Sequence, residues 1–209
     1  MSLEDVTIET LAGAGVAPAI PDVARLRIAV FREFPYLYDG NEEYERKYLR
    51  KYVDLPESTV VVARAVGGIV GASTALPMVN AGGEVIKPFA DAGYDPARIY
   101  YFGESVLLRE YRGRGLGVAF FERREARARE LDFPVVAFCA VDRPQDHPRR
   151  PKDYVPLDAF WRKRGYAKRA DLRCRFAWKE IGETAASPKC LTFWLKELVH
   201  GALEGRQRP

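Results

Sequence analysis

A single mixed α/β domain is the fold this sequence predicts, and three stretches predict it. Ile99 to Leu108 is an apolar, β-rich run that meets the glycine-rich turn Arg112-Gly113-Arg114-Gly115-Leu116-Gly117, which in turn opens a charged helical pattern of about four turns. After Pro134, Val135 to Val141 reads as another buried strand, so strand, helix and strand suggest a parallel crossover. Ser58 to Ala65 and Ile69 to Val79 are β-rich runs separated by Val66-Gly67-Gly68, the pattern of an antiparallel hairpin.

The remaining elements follow in chain order. Val6, Ile8 and Leu11 alternate with polar residues as a first strand, and Ala12 to Pro21 is a Gly/Ala/Pro loop. Asp22 can cap a helix whose apolar face is Val23, Leu26, Ala29, Val30 and Phe31, ended before Pro35. Phe34 to Gly40 is an aromatic turn, and Asn41 is an N-cap with Glu42 and Glu43 in the first turn. Tyr44, Tyr48 and Tyr52 then share one helical face as a core stripe. Glu84 to Ala92 reads as a short helix and Asp142 to Asp153, with three prolines, as a loop. A helix starts near Pro156 and exits at Gly165. Leu172 to Ile181 and Lys189 to Trp194 are closing strands, the domain spanning 6–199 and a tail 200–209.

At 209 residues, with 47% hydrophobic and 30% charged residues, the chain suits one soluble domain with a sizeable core. Thirty-three basic against twenty-nine acidic residues leave only +4, which gives a nucleic-acid partner or a membrane surface little electrostatic support. Cys139, Cys174 and Cys190 are far apart and form no Cys-x-x-Cys pair, so neither a metal site nor redox chemistry is indicated and the thiols are expected to be reduced. The first residues have early acids and no signal-like apolar run, and no segment approaches the roughly 20 apolar residues of a membrane span, so a cytoplasmic location is expected.

A strand, a glycine turn and a helix make an anion site, because the first N–H groups of a helix lack intrahelical acceptors and glycines let a phosphate approach them. A Walker A loop is excluded, since no Gly-x-x-x-x-Gly-Lys exists. A dinucleotide fingerprint is excluded too, because it needs glycine or alanine where Val118 stands. The pattern that fits is Arg-x-x-Gly-x-Gly, on Arg112, Gly115 and Gly117.

With that turn, the sequence resembles the GNAT superfamily of acetyl-CoA-dependent N-acetyltransferases. The likeness runs from Val6 to Trp194 and includes a second segment, Ala159 to Tyr166, similar to the family's Leu-Tyr-x-Lys-x-Gly-Phe. It implies a GNAT-type fold: a mixed, mostly antiparallel, twisted sheet splayed at the cofactor and flanked by helices. It also implies acetyl-CoA as co-substrate, with the backbone of Ser105, Val106 and Leu107 pairing with the pantetheine arm. Amides from Arg112, Gly113, Arg114, Gly115, Leu116 and Gly117 would wrap the pyrophosphate, while Phe160 and Trp161 flank the arm.

The implied reaction is acetyl transfer to a primary amine by direct attack, with the Leu107 N–H as oxyanion donor. Free alkyl amines have pKa values of about 10, so a base must take a proton at neutral pH. Glu104 is the first candidate, against the alternative of a carboxylate merely paired with an arginine; His147 is the second. The family's acidic tyrosine on the late helix is replaced by Trp161, whose indole is a donor but no practical acid. Tyr166 and Tyr154 are the nearby substitutes. Tyr36 and Tyr38 are candidates for the acceptor pocket, whereas Arg123 and Arg124 read as solvated. No cysteine lies where an acyl-enzyme would need it. The acceptor is a small-molecule or peptide amine, a homodimer is compatible with the family, and a catalytically silent CoA-binding module is the alternative reading.

Overall fold

The computed structural model describes residues 6–198. Seven strands form one sheet in the order β1-β2-β3-β4-β5-β7-β6. They are β1 (Thr7–Leu11), β2 (Thr59–Ala65), β3 (Gly68–Pro77), β4 (Ile99–Leu107), β5 (Val135–Val141), β6 (Ala167–Trp178) and β7 (Ser187–Glu197). Every neighbouring pair is antiparallel except β4 with β5, the crossover expected from the sequence.

The sheet is buried on both faces because helices cover both. On one face lie α1 (Ile20–Phe31), α2 (Glu42–Leu49), α3 (Lys51–Asp54) and α4 (Gly83–Asp91), packed on Val60, Val62, Leu76 and Val106 and, farther along, on Ile99, Tyr101 and Phe193. On the other lie α5 (Leu116–Glu130) and α6 (Asp158–Arg162), packed on Val61, Ala63, Phe102, Val136 and Trp194. Alternation of side chains across the pleat explains why Val60 and Val62 face one layer and Val61 and Ala63 the other.

Local signals account for most boundaries. Asn41 caps α2, its Oδ1 accepting the Tyr44 N–H at 3.1 Å. Gly67 and Gly68, at φ 103° and 135°, turn the β2–β3 hairpin. Five readings need correction. Residues 13–19 form 3₁₀ turns, not a loop, and Asp22 sits inside the first turn of α1. Tyr44 is 59% exposed, so the tyrosine stripe is core only at Tyr48 and Tyr52. The late helix is shorter than expected and begins at Asp158. β6 runs Ala167–Trp178 instead of the expected Leu172 to Ile181, its start hidden from the pattern because Ala167 and Lys168 are exposed on an edge strand. The tail 200–209 lies outside the described residues, among which no helix is long and apolar enough to cross a membrane.

Candidate active site

The parallel pair is brief. β4 and β5 meet only at Ile99–Val135, Tyr100–Val136 and Tyr101–Ala137, and beyond that β4 runs to Leu107 and β5 to Val141 without pairing. On its other edge β4 stays with β3 as far as Leu107 opposite Gly71, and the Leu108 N–H donates to Val70 O at 3.0 Å. Because successive residues of a strand direct their polar groups to opposite edges, the N–H groups of Leu107 and Ser105 point into the gap. Arg112 braces the end of β4: its Nε donates to Leu107 O at 3.0 Å and its Nη1 to Glu33 at 2.9 Å.

The glycine turn closes one end of the gap. Gly113 and Gly115 have φ of 76° and 83°, a left-handed conformation strained for any other residue, and no atom lies within 4 Å of where a Cβ would stand on either. α5 follows, its first intrahelical donors being Val118 and Ala119 to Gly115 O at 2.9 and 3.1 Å, so Leu116 and Gly117 present N–H groups ahead of the ladder. The Arg112 amide does not join them, contrary to the expectation from sequence. It donates to Arg109 O at 3.2 Å and closes the preceding 3₁₀ turn.

Glu104 owes its direction to a bulge. The β3–β4 register slips between Ser73 and Ala75, leaving Thr74 opposite both Gly103 and Glu104. Alternation is thereby reset, and Glu104 joins Val106 on the α1/α2 face while Ser105 faces α5. Only glycine fits at 103, since a Cβ there would stand 2.6 Å from both Thr74 Oγ1 and Tyr52 Oη. The Glu104 N–H donates to Thr74 Oγ1 at 3.3 Å, and that hydroxyl donates to Tyr52 Oη at 2.9 Å.

The Glu104 carboxylate is buried. Arg27 Nη1 lies 2.5 Å from its Oε1, and the Tyr48 hydroxyl donates to its Oε2 at 3.3 Å. Arg27 also donates to Glu45 at 2.5 Å and packs its guanidinium over the Tyr48 and Phe31 rings. Burial by itself would lower the Arg27 pKa, but Glu104, Tyr48 and Glu45 outweigh it and hold the guanidinium well above its ordinary range. The Tyr48 hydroxyl moves up because burial and the Glu104 charge both disfavour the phenolate. The arginine partner considered for Glu104 at the sequence level is present, but it comes from the interior and not from the surface.

Tyr36 stands beside this group, its ring 4.6 Å from Phe31 and 5.8 Å from Trp178, and burial pushes its hydroxyl up. Trp178 Nε1 and Arg143 Nη2 both donate to Tyr36 O, at 3.1 and 3.2 Å, fixing the aromatic turn. Tyr38 reaches Glu45: its hydroxyl is held up first by burial and then by its bond to Glu45, which Arg27 also binds. Tyr154 packs edge-on to Phe34 at 4.7 Å and His147 packs on the same ring at 5.5 Å, its Nδ1 accepting the Arg149 N–H. An open cleft of about 800 Å³ runs past Pro35, Arg143, Tyr154 and Asp158.

On the opposite face, Phe160 packs on Phe121 at 5.9 Å and its ring lies 3.4 Å from where a Cβ on Gly117 would stand, so α6 rests on the start of α5. Trp161 packs on Phe138 and Trp194, each at 5.1 Å. Tyr166, offered from sequence as a substitute acid, is only 2% exposed, and its hydroxyl donates to Glu125 Oε1 at 2.9 Å while Lys196 donates to Oε2 at 2.7 Å. Burial and the Glu125 charge push that hydroxyl far up, so the structure gives Tyr166 a core role on the α5 face, away from Glu104. Arg123 is exposed as expected, but Arg124 is 1% exposed and not solvated.

Sequence reasoning passed over Arg27, Tyr48, Trp178 and Arg124 as contributors. Nothing in the local pattern marks Arg27 or Trp178, since each meets the site across a long loop of chain. Arg124 had one signal: it falls on the apolar side of α5, four residues beyond Phe120.

No protein-family model matches the sequence, and no curated protein is similar to it at a significant level. Solved structures are similar in fold. The ribosomal-protein-alanine N-acetyltransferase of Brucella melitensis is 15% identical, with 92% of this chain and 99% of that one covered and a TM-score of 0.60. A GNAT-family acetyltransferase of Streptococcus pneumoniae is 13% identical over 93% and 100% of the two chains, at a TM-score of 0.56. The Salmonella typhimurium protein yncA, solved with its cofactor acetyl-CoA, is 12% identical over 98% of each chain, at a TM-score of 0.57. The chain has the GNAT acetyltransferase fold.

Proposed function

We propose that this GNAT-fold chain is an acetyl-CoA-dependent N-acetyltransferase that acts on a primary amine of a small-molecule or peptide acceptor. The observation that carries the reading is the opening between β4 and β5, with Gly113 and Gly115 at one end and the Glu104 side chain on one face. The residues present fit the group. Free strand N–H groups suit an amide-rich arm, and left-handed glycines with open space beside them suit a close phosphate.

Ser105 and Leu107 would hold the arm through the backbone, Gly113 to Gly117 the pyrophosphate, and Phe160 would seal the helix start. Acetyl-CoA supplies the acyl group already activated as a thioester. The Leu107 N–H, aimed into the gap, is the donor for negative charge that develops on the acyl oxygen. Glu104 takes the proton from the amine, with Tyr48 on its second oxygen and Arg27 fixing its orientation. Tyr36, Phe31 and Trp178 supply an aromatic wall for the acceptor.

The test is release of free thiol from acetyl-CoA across a panel of small amines, peptide N-termini and lysine peptides, with Glu104→Gln alongside. Turnover with at least one amine is expected, reduced about 100-fold or more in the variant with CoA affinity unchanged, the scale of a lost general base. A second reading, a silent CoA-binding module, is favoured by the tie between Glu104 and Arg27 and by Trp161 in the core. CoA binding without thiol release for any amine would establish that reading instead.

A further inference from the structure

Arg124 is one of the largest fully buried side chains, yet the ion pairs among the described residues do not include it. Its partners are carbonyls, one hydroxyl and two rings. Nε donates to Phe120 O at 3.1 Å within α5, Nη1 donates to both Thr74 O and Glu104 O at 3.3 Å, and Nη2 donates to Ser105 Oγ at 2.8 Å. The Phe102 and Phe121 rings lie 4.3 and 4.9 Å from the guanidinium carbon. Burial pushes its pKa down to about 10.

Burying a guanidinium without a carboxylate in ion-pair contact is a costly way to fill space in a core, and an apolar side chain would serve packing better. The location of its partners explains it. Apart from the bond to its own helix, every hydrogen bond goes to the bulge that turns Glu104 toward α1 and α2. Thr74 is the single β3 residue opposite Gly103 and Glu104, so its carbonyl and that of Glu104 lie where the ladder is irregular. One nitrogen of Arg124 satisfies both from the α5 side, while Tyr52 holds Thr74 Oγ1 from the other.

We propose that Arg124 is the positioning residue of the site: it stabilises the β4 bulge and thereby sets the direction of Glu104 and of the free N–H groups of Ser105 and Leu107. This rests on the N-acetyltransferase reading for its catalytic consequence, but not for the geometry. Without the guanidinium, two buried carbonyls at the bulge each lose a donor and β4 relaxes toward regular pairing, which would swing Glu104 to the α5 face.

The experiment compares Arg124→Met and Arg124→Lys with the parent by amide hydrogen exchange and by steady-state kinetics. In Arg124→Met, exchange over residues 102–107 is expected to rise about tenfold or more while β2 keeps its protection, the signature of a local opening. The kcat falls about tenfold or more, the KM for acetyl-CoA rises about threefold or more as the Ser105 and Leu107 N–H groups lose their aim, and Arg124→Lys recovers part of both because its ammonium still donates to the carbonyls. Parent-like exchange over 102–107 in both variants overturns the proposal. So does faster exchange spread evenly over the sheet with no recovery in Arg124→Lys, which is the behaviour of a packing residue. Should Arg124→Met fail to fold, Arg124→Lys decides alone, parent-like exchange and kcat counting against. If the parent turns over no amine, exchange still decides the bulge while the N-acetyltransferase reading fails by itself.

Discussion

Arg27 on α1 and Glu104 on β4, 77 positions apart, meet with 2.5 Å between Nη1 and Oε1, and neither side chain is more than a tenth exposed. Arg27 reaches Glu45 on α2 as well, so one buried cation holds two buried carboxylates and ties two helices to the strand at the opening.

Removing the cation should therefore cost more than removing an ordinary surface partner. Arg27→Met leaves both carboxylates buried and uncompensated and is expected to destabilise the fold by about 3–5 kcal/mol, as when a buried pair loses one member. Urea titration measures it; a loss under about 1 kcal/mol would mean that water reaches the pair, as at an exposed salt bridge.

The glycine turn should separate cofactor affinity from turnover. Gly115→Ala must take a positive φ at a strain of about 1–2 kcal/mol and places a methyl group where space is now open. Weaker CoA binding by calorimetry, by about tenfold, with kcat at saturation little changed is the expected split. Unchanged affinity would remove the turn from the anion site.

Tyr166→Phe is expected to keep kcat within about twofold while losing about 1 kcal/mol of stability, the worth of one buried hydroxyl bond. The hydroxyl serves Glu125, which retains Lys196 and Arg129 in the variant. A large drop in kcat at preserved stability would return Tyr166 to the chemistry.

The β6–β7 connection contributes an acid-sensitive share of stability. Glu183 accepts from the Glu180 N–H, Ser187 and Lys189, and these hold its carboxyl down to about 2. A depressed folded-state pKa means that its stabilisation is present above the unfolded value of about 4.3 and is lost as pH falls through about 2. Urea midpoints at descending pH should fall more steeply across that window in the parent than in Glu183→Gln, which keeps only the shares of Asp39 and Asp171, held down by Lys179 and Arg169.

How much of this was legible in the chain follows from the range of each interaction. Asn41, the Gly67-Gly68 hairpin turn and the Gly113–Gly117 helix start are local devices whose backbone conformation depends on a few adjacent residues, so their sequence signals stand unaltered in the structure. The strand–helix–strand crossover was readable for the same reason, since its pattern is continuous from Ile99 to Val141. Edge strand β6 was read short because exposed residues weaken alternation.

Tertiary structure decided which side chains share the site. The face of Glu104 depends on a single unmatched residue in a neighbouring strand, Thr74, which no periodicity within β4 encodes. Arg27 and Arg124 look like solvated helix arginines until the strand they serve is placed against them, because burial and hydrogen-bond partners belong to packing and not to composition. Chain-local physics thus determined the architecture and the anion turn of this protein, while contacts across distant segments determined where its acidic, aromatic and guanidinium groups converge.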